Sequence, residues 1–253
     1  MKWTLMLVAM VAVIARADHA HACSCSMPQV ELSPNGSDAP INSTIVVWVP
    51  AYLSRGSDVN LSVRKKSGDT ITVDYKKVGS ASMTVIEMMP KAKLTANTEY
   101  EVVRLEGDVS GVIGNFTTGA KELTAAPVWK GIKTSQYLKD TAVCCVCNTS
   151  DPYAMIELAK PDGDDKAAKQ LRIGIWMAGS DGKIDYKKPP VTYEPFDQAF
   201  SLGHPSTCSP ANFLFPKTKA LRLGLKLVDV AGNASTASEL VLDTTKPKRP
   251  TEK

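Results

Sequence analysis

Aromatic residues are scarce: Phe, Trp and Tyr together make 6% of the 253 residues. So few rings make a continuous stacking surface for single-stranded nucleic acid hard to assemble. Histidine is scarcer still, with three in the chain: His19, His21 and, far downstream, His204. Charge of one sign is also lacking, because 30 Lys and Arg are interleaved with 26 Asp and Glu. Nucleic-acid binders gather their basic residues on one face, so nucleic acid is not an expected partner. Gly and Pro, 16 each, are too scattered for a collagen-like or low-complexity chain. Beyond the first residues, no apolar run approaches the ~20 residues a membrane-spanning helix needs. Helical periodicity is absent as well, apart from one short stretch at 164–170.

The N-terminus has the three parts of a secretory signal. Lys2 supplies the positive region, 5–15 the apolar stretch, and Ala20–His21–Ala22 the small residues before a cleavage site. Residues 1–22 are therefore expected to leave on export, placing the mature chain in a periplasm, a cell envelope or the exterior. Cleavage there exposes Cys23, a position that raises a lipid anchor. Two observations weigh against one: the residues before Cys23 read Ala-His-Ala rather than Leu-Ala-Gly, and acylation strands one of six thiols. Residues 247–253 read as a solvated basic tail, broken by Pro247 and Pro250.

Between these ends the chain is a succession of short Val-, Ile-, Thr- and Tyr-rich runs separated by Gly, Asn, Asp, Ser and Pro. Such spacing predicts an all-β fold of sandwiches. Strands are expected at 43–49, 59–65, 70–76, 82–88, 99–105 and 112–117. A linker near 119–126 is followed by strands at 128–134, 141–147, 154–159, 171–177, 191–193, 220–228 and 239–243. The clearest alternation places Leu221, Leu223, Leu225 and Leu227 on one face, with Arg222, Gly224 and Lys226 on the other. Asp229–Val230–Ala231–Gly232–Asn233 then suits a tight hairpin. The expected organisation is a signal at 1–22, a cysteine-bearing lead at 23–29, two tandem antiparallel sandwiches at 30–119 and 124–246, and the tail.

Two motifs in the first half carry a family resemblance. Leu94–Thr95–Ala96–Asn97–Thr98–Glu99–Tyr100 and the closing Asn115–Phe116–Thr117–Thr118–Gly119 follow Pro34–Asn35–Gly36–Ser37 and Asn42–Ser43–Thr44–Ile45–Val46–Val47 in order. Together they resemble the bacterial Ig-like domain of S-layer proteins over roughly residues 30–119. The second half resembles another bacterial Ig-like module through its Asp229–Asn233 turn and Val241–Leu242–Asp243–Thr244–Thr245. The resemblance implies a non-catalytic building block of adhesins, envelope proteins and exported enzymes, without a cofactor. Its expected partner is an envelope or extracellular protein or polysaccharide.

The cysteines are the chemistry-bearing residues. Cys23 and Cys25 sit in the lead, Cys144, Cys145 and Cys147 crowd one expected strand, and Cys208 lies in a later loop. In an exported protein all six are expected in disulfides. Cys23 and Cys25 are too close for an unstrained bridge to each other, so both are expected to reach two of the later four. A thiolate metal site is the alternative, since soft sulfur ligands select Cu(I) or zinc; the paired spacing of zinc sites is absent. A second alternative is protease inhibition: Cys23–Ser24–Cys25–Ser26 resembles the opening of the tissue inhibitors of metalloproteinases over those four residues. Catalysis finds no constellation, since His204 stands alone and no Gly-x-Ser-x-Gly elbow occurs. Asp162–Gly163–Asp164–Asp165 reads as a turn rather than a calcium loop. The Asn-x-Ser/Thr triplets at Asn35, Asn42, Asn60, Asn115, Asn148 and Asn233 read as by-products of Ser- and Thr-rich strands.

Overall fold

The computed structural model describes residues 29–50, 59–78, 83–106, 109–139, 152–161, 171–203, 213 and 215–246. Among them the chain forms strands and no helix. The first eight are β1 (Glu31–Ser33), β2 (Gly36–Ala39), β3 (Ile45–Pro50), β4 (Asn60–Lys65), β5 (Val73–Val78), β6 (Met83–Pro90), β7 (Glu99–Glu106) and β8 (Val109–Thr118). After a stretch of coil come β9 (Ile132–Lys139), β10 (Pro152–Leu158), β11 (Leu171–Met177), β12 (Thr192–Pro195), β13 (Ala199–Gly203), β14 (Ala220–Asp229) and β15 (Ser238–Asp243). The first set pairs as sheets β1-β3-β6-β5 and β2-β8-β7-β4, the second as β13-β10-β9 and β12-β11-β14-β15. The chain is thus all-β, two tandem Ig-like sandwiches. One described pairing departs from the antiparallel rule: β2 runs parallel to β8, Gly36 opposite Phe116 and Ala39 opposite Thr118.

Side chains alternate across each strand, which decides what enters each core. In the first sandwich Ile45, Val47 and Val49 of β3 meet Ile86 and Met88 of β6 and Tyr100, Val102 and Phe116 of the facing sheet. In the second, the four leucines Leu221, Leu223, Leu225 and Leu227 all turn inward, against Ile173, Ile175, Ile156 and Leu202. The leucine face lies in the core as expected, but the strand is not buried on that side alone, since Gly224 and Val228 of the opposite face are buried as well.

The motif around residues 94–100 has a mechanical role. Asn97 takes a left-handed conformation at φ 50°, tolerated by its short polar side chain. The turn brings the Tyr100 hydroxyl back to accept a hydrogen bond from the Thr95 amide at 2.8 Å. The ring stacks on Phe116 with centroids 5.4 Å apart. This is the tyrosine corner of Ig-type sandwiches, and it ties the start of β7 to the turn before it.

Several boundaries differ from expectation. The strand expected at 128–134 begins only at Ile132, because Trp129 is held by its indole N–H on the Thr236 carbonyl and Gly131 turns the chain at φ 85°. β1, β2 and β13 were not anticipated; β1 and β2 flank Pro34 in a segment whose Gly, Ser and Asp read as turn. The expected strand at 141–147 and the stretch at 164–170 lie outside the described residues.

Candidate functional site

The six cysteines Cys23, Cys25, Cys144, Cys145, Cys147 and Cys208 lie outside the described residues, as do His204 and Asp162–Gly163–Asp164–Asp165. Among the described residues, no three His, Cys, Asp or Glu side chains gather as a metal site would require. No helix of the described residues is long and apolar enough to cross a membrane.

The described residues converge instead on the face between the two sandwiches. All six residues of β3 are buried. The inward set fills the first core, while Val46 and Trp48, pointing the other way, pack with Val78, Val85, Tyr193 and Val228. Tyr193 and Val228 belong to β12 and β14, so the outer faces of two sheets, one from each sandwich, bury each other. The Trp48 indole N–H donates to the Tyr193 carbonyl at 2.8 Å, and the Thr44 amide donates to the Val230 carbonyl at 2.6 Å.

An ion pair crosses this apolar face. Glu87 stands opposite Val46 on the neighbouring strand and is 5% exposed; Arg172 stands opposite Val228 and is 2% exposed. Arg172 Nη2 lies 3.0 Å from Glu87 Oε1, and its guanidinium carbon sits 4.8 Å from the Tyr193 ring centroid. Lys76 approaches the other Glu87 oxygen at 3.5 Å from the edge. Arg172 Nε and Nη1 meet no acceptor among the described residues. A buried charge with donors left over is held by its single partner, which makes the pair costly to break. Burial first, and the Glu87 charge second, push the Tyr193 phenol from its ordinary value near 10 up to about 12, with Arg172 opposing. Tyr193 is therefore a neutral ring beneath the guanidinium.

The connecting coil is pinned from both sides. Asn42 of the first sandwich accepts from the Leu123 amide at 3.0 Å and donates to the Leu123 carbonyl at 2.8 Å. Asn233 of the second donates to that same carbonyl at 3.1 Å. Asn233 is itself fixed by Asp229, whose carboxylate accepts from its amide and its side chain at 2.8 and 2.9 Å. Burial raises the Asp229 pKa, while the Asn233 hydrogen bonds oppose it. Two of the Asn-x-Ser/Thr residues thus clamp the linker rather than standing as by-products.

Beyond the contact, the outer face of β11 and β14 is covered by the 178–191 loop. Tyr186 lies over Gly224, where an added Cβ would come within 2.8 Å of its ring carbons. Lys226 Nζ sits 4.6 Å from the Tyr186 centroid and 5.7 Å from that of Trp176, and the Trp176 indole donates to the Lys188 carbonyl at 2.8 Å.

None of Trp48, Glu87, Arg172 and Tyr193 was singled out from sequence. One signal was available. Ile45–Val46–Val47–Trp48–Val49 is continuously apolar, whereas an antiparallel strand with one wet face alternates.

No family model matches the chain, and no curated protein matches it. Solved structures do. The N-terminal Ig1-2 module of the Drosophila receptor protein tyrosine phosphatase DLAR is 12% identical, covering 86% of this chain and 99% of that one at a TM-score of 0.30. The fibronectin(III)-like modules of Clostridium thermocellum CbhA are 12% identical, covering 87% and 95% at a TM-score of 0.23. Pullulanase from Anoxybacillus sp. LM18-11 is 7% identical, covering 85% of this chain and 25% of that one at a TM-score of 0.28. The two-sandwich fold stands on the strand pairing of this chain itself.

Proposed function

We propose that the chain is an exported, non-catalytic Ig-like protein of the S-layer domain type. In this reading it is a fixed two-sandwich frame that presents loops and edge strands to an envelope or extracellular protein or polysaccharide. The observation that carries the reading is the buried face between the sandwiches, where Trp48 and the Glu87–Arg172 pair set one sheet against another. Export is supported by the three-part pattern of residues 1–22, and the S-layer resemblance by the 94–100 motif that builds the Tyr100 corner. Exposed strand edges are natural protein contacts unless closed. The β4 edge is closed by its own chain: Lys65 and Ile71 amides bond Asp69 and Val63 carbonyls, and the Tyr75 hydroxyl bonds that of Leu61. Contacts are therefore expected elsewhere, through loops and the charged edge of β5.

Expression in a bacterium with fractionation tests this reading. The expected product begins at Cys23, carries six oxidised cysteines by non-reducing peptide mapping, and co-sediments with isolated envelopes. Retention in the cytoplasm with reduced thiols, or a hydrolytic activity lost in His204→Ala, would overturn it.

A further inference from the structure

β5 ends its sheet, so one side of it pairs with β6 and the other with no described strand. Which backbone groups face that second side follows from the ladder. The Lys91 amide donates to the Thr72 carbonyl at 3.0 Å, and Pro90, which has no amide hydrogen, stands opposite Val73. Hydrogen-bonded positions alternate along an antiparallel pair, so Asp74, Lys76 and Val78 turn their backbone groups to β6. Val73 and Tyr75 turn theirs outward. An edge of this kind is a template for a further strand.

The side chains select which strand fits. Asp74 and Lys76 point to the same face as Val78 and flank Tyr75, which is 53% exposed at the edge. An antiparallel copy of β5, turned about a two-fold axis through Tyr75, sets Tyr75 against Tyr75 of the second copy. The same axis sets Asp74 against Lys76 of the second copy and Lys76 against its Asp74. Unlike charges directly opposite stabilise a strand pair, and like charges destabilise it. An axis at Asp74, Lys76 or Lys77 sets like charge on like charge, and one at Val73 faces both charges with threonine. The register that bonds the outward groups of Tyr75 is thus the one the charges favour. Within the chain Asp74 meets Lys91 at 3.2 Å and Lys76 meets Glu87 at 3.5 Å. Asp74 and Lys91 both stand more than half in solvent, and Glu87 is already held by Arg172, so neither contact is costly to share. We infer that the chain pairs with a second copy of itself through β5, edge to edge and antiparallel about Tyr75, joining two four-stranded sheets into one of eight. So narrow a contact makes a weak, reversible dimer. The inference rests neither on export nor on an envelope partner.

Sedimentation velocity of the full chain, over a concentration series reaching the millimolar range, tests it together with residue-resolved amide exchange on the same samples. A monomer–dimer equilibrium is expected. The Tyr75 amide should gain protection as the dimer forms, while the Lys76 amide is protected throughout. Asp74→Lys places two like-charged pairs across the axis and should weaken the dimer about tenfold or more. Tyr75→Pro removes the outward amide without taking a hydrogen bond from β6 and should abolish the dimer. Tyr75→Phe loses the same contact with the Leu61 carbonyl yet keeps the amide, and should dimerise like the parent. Should Tyr75→Pro unfold the chain, Asp74→Lys decides alone. Monomer throughout the series, a dimer that leaves Tyr75 exchange unchanged, or undiminished association in Asp74→Lys would overturn the inference. So would Tyr75 protection that appears only when isolated envelopes are added, which would assign the edge to a foreign strand.

Discussion

Replacing Arg172 by Met removes the cation and keeps most of the side-chain length. Charges 3.0 Å apart at closest approach attract by about 5–6 kcal/mol at an effective dielectric constant near 20. Most of that is offset by desolvation, so the pair itself adds little net stability, but its halves are not independent. With Arg172 gone, Glu87 remains 5% exposed, with only Lys76 at 3.5 Å, itself partly in solvent. Losing one member of a buried pair costs about 3–5 kcal/mol. Lys76 places the expected loss near the lower end, about 3 kcal/mol. The double variant Arg172→Met, Glu87→Leu removes both charges from an apolar face and should return to within about 1 kcal/mol of the parent, or exceed it. Urea unfolding followed by tryptophan fluorescence measures both, because Trp48 sits in the same face. A loss under about 1 kcal/mol in the single variant, or a double variant no more stable than the single, would refute the coupling.

Other expectations concern neighbouring devices. Tyr193 ionises near 12 in the folded chain and near 10 when unfolded, so its contribution is complete below about pH 10 and lost as pH rises toward 12. Two pH units amount to about 2–3 kcal/mol, and Tyr193→Phe should flatten that part of the stability profile in alkaline urea melts. Tyr100→Phe keeps the stack on Phe116 but removes the acceptor for the Thr95 amide; an equilibrium melt should show a loss of about 1 kcal/mol. An unchanged melt would mean that the corner contributes nothing. Gly224→Ala puts a methyl group into the Tyr186 ring and should cost about 1–3 kcal/mol while exposing Trp176, read as a red shift in its emission.

What the sequence made legible was the part governed by local rules. Alternation at Leu221, Leu223, Leu225 and Leu227 assigns a face because successive side chains must point opposite ways. The 94–100 motif was legible only as a family resemblance, and the left-handed Asn97 and the Tyr100 hydroxyl on the Thr95 amide are what the structure adds. The face between the sandwiches was not readable in the same way. Glu87 and Arg172 are 85 residues apart, and a charged residue on the outward side of a strand is ordinarily a solvent residue. Only the unbroken apolar run of β3 hints that its second face is covered, and nothing local names the cover. Asn42 and Asn233 were equally opaque, because a side chain that mimics a backbone partner for Leu123 looks like any turn asparagine. The cysteine readings concern residues outside those described, so the candidate site rests on side chains that no motif announced.

The two sandwiches are held in one orientation by their buried faces. Residual dipolar couplings of backbone amides, measured in one aligned sample, test it most directly. Amides of β3, β6 and β7 should fit the same alignment tensor, in magnitude and direction, as amides of β11, β12 and β14. Two tensors of different magnitude, one for each sandwich, would show the modules tumbling separately and would contradict the account.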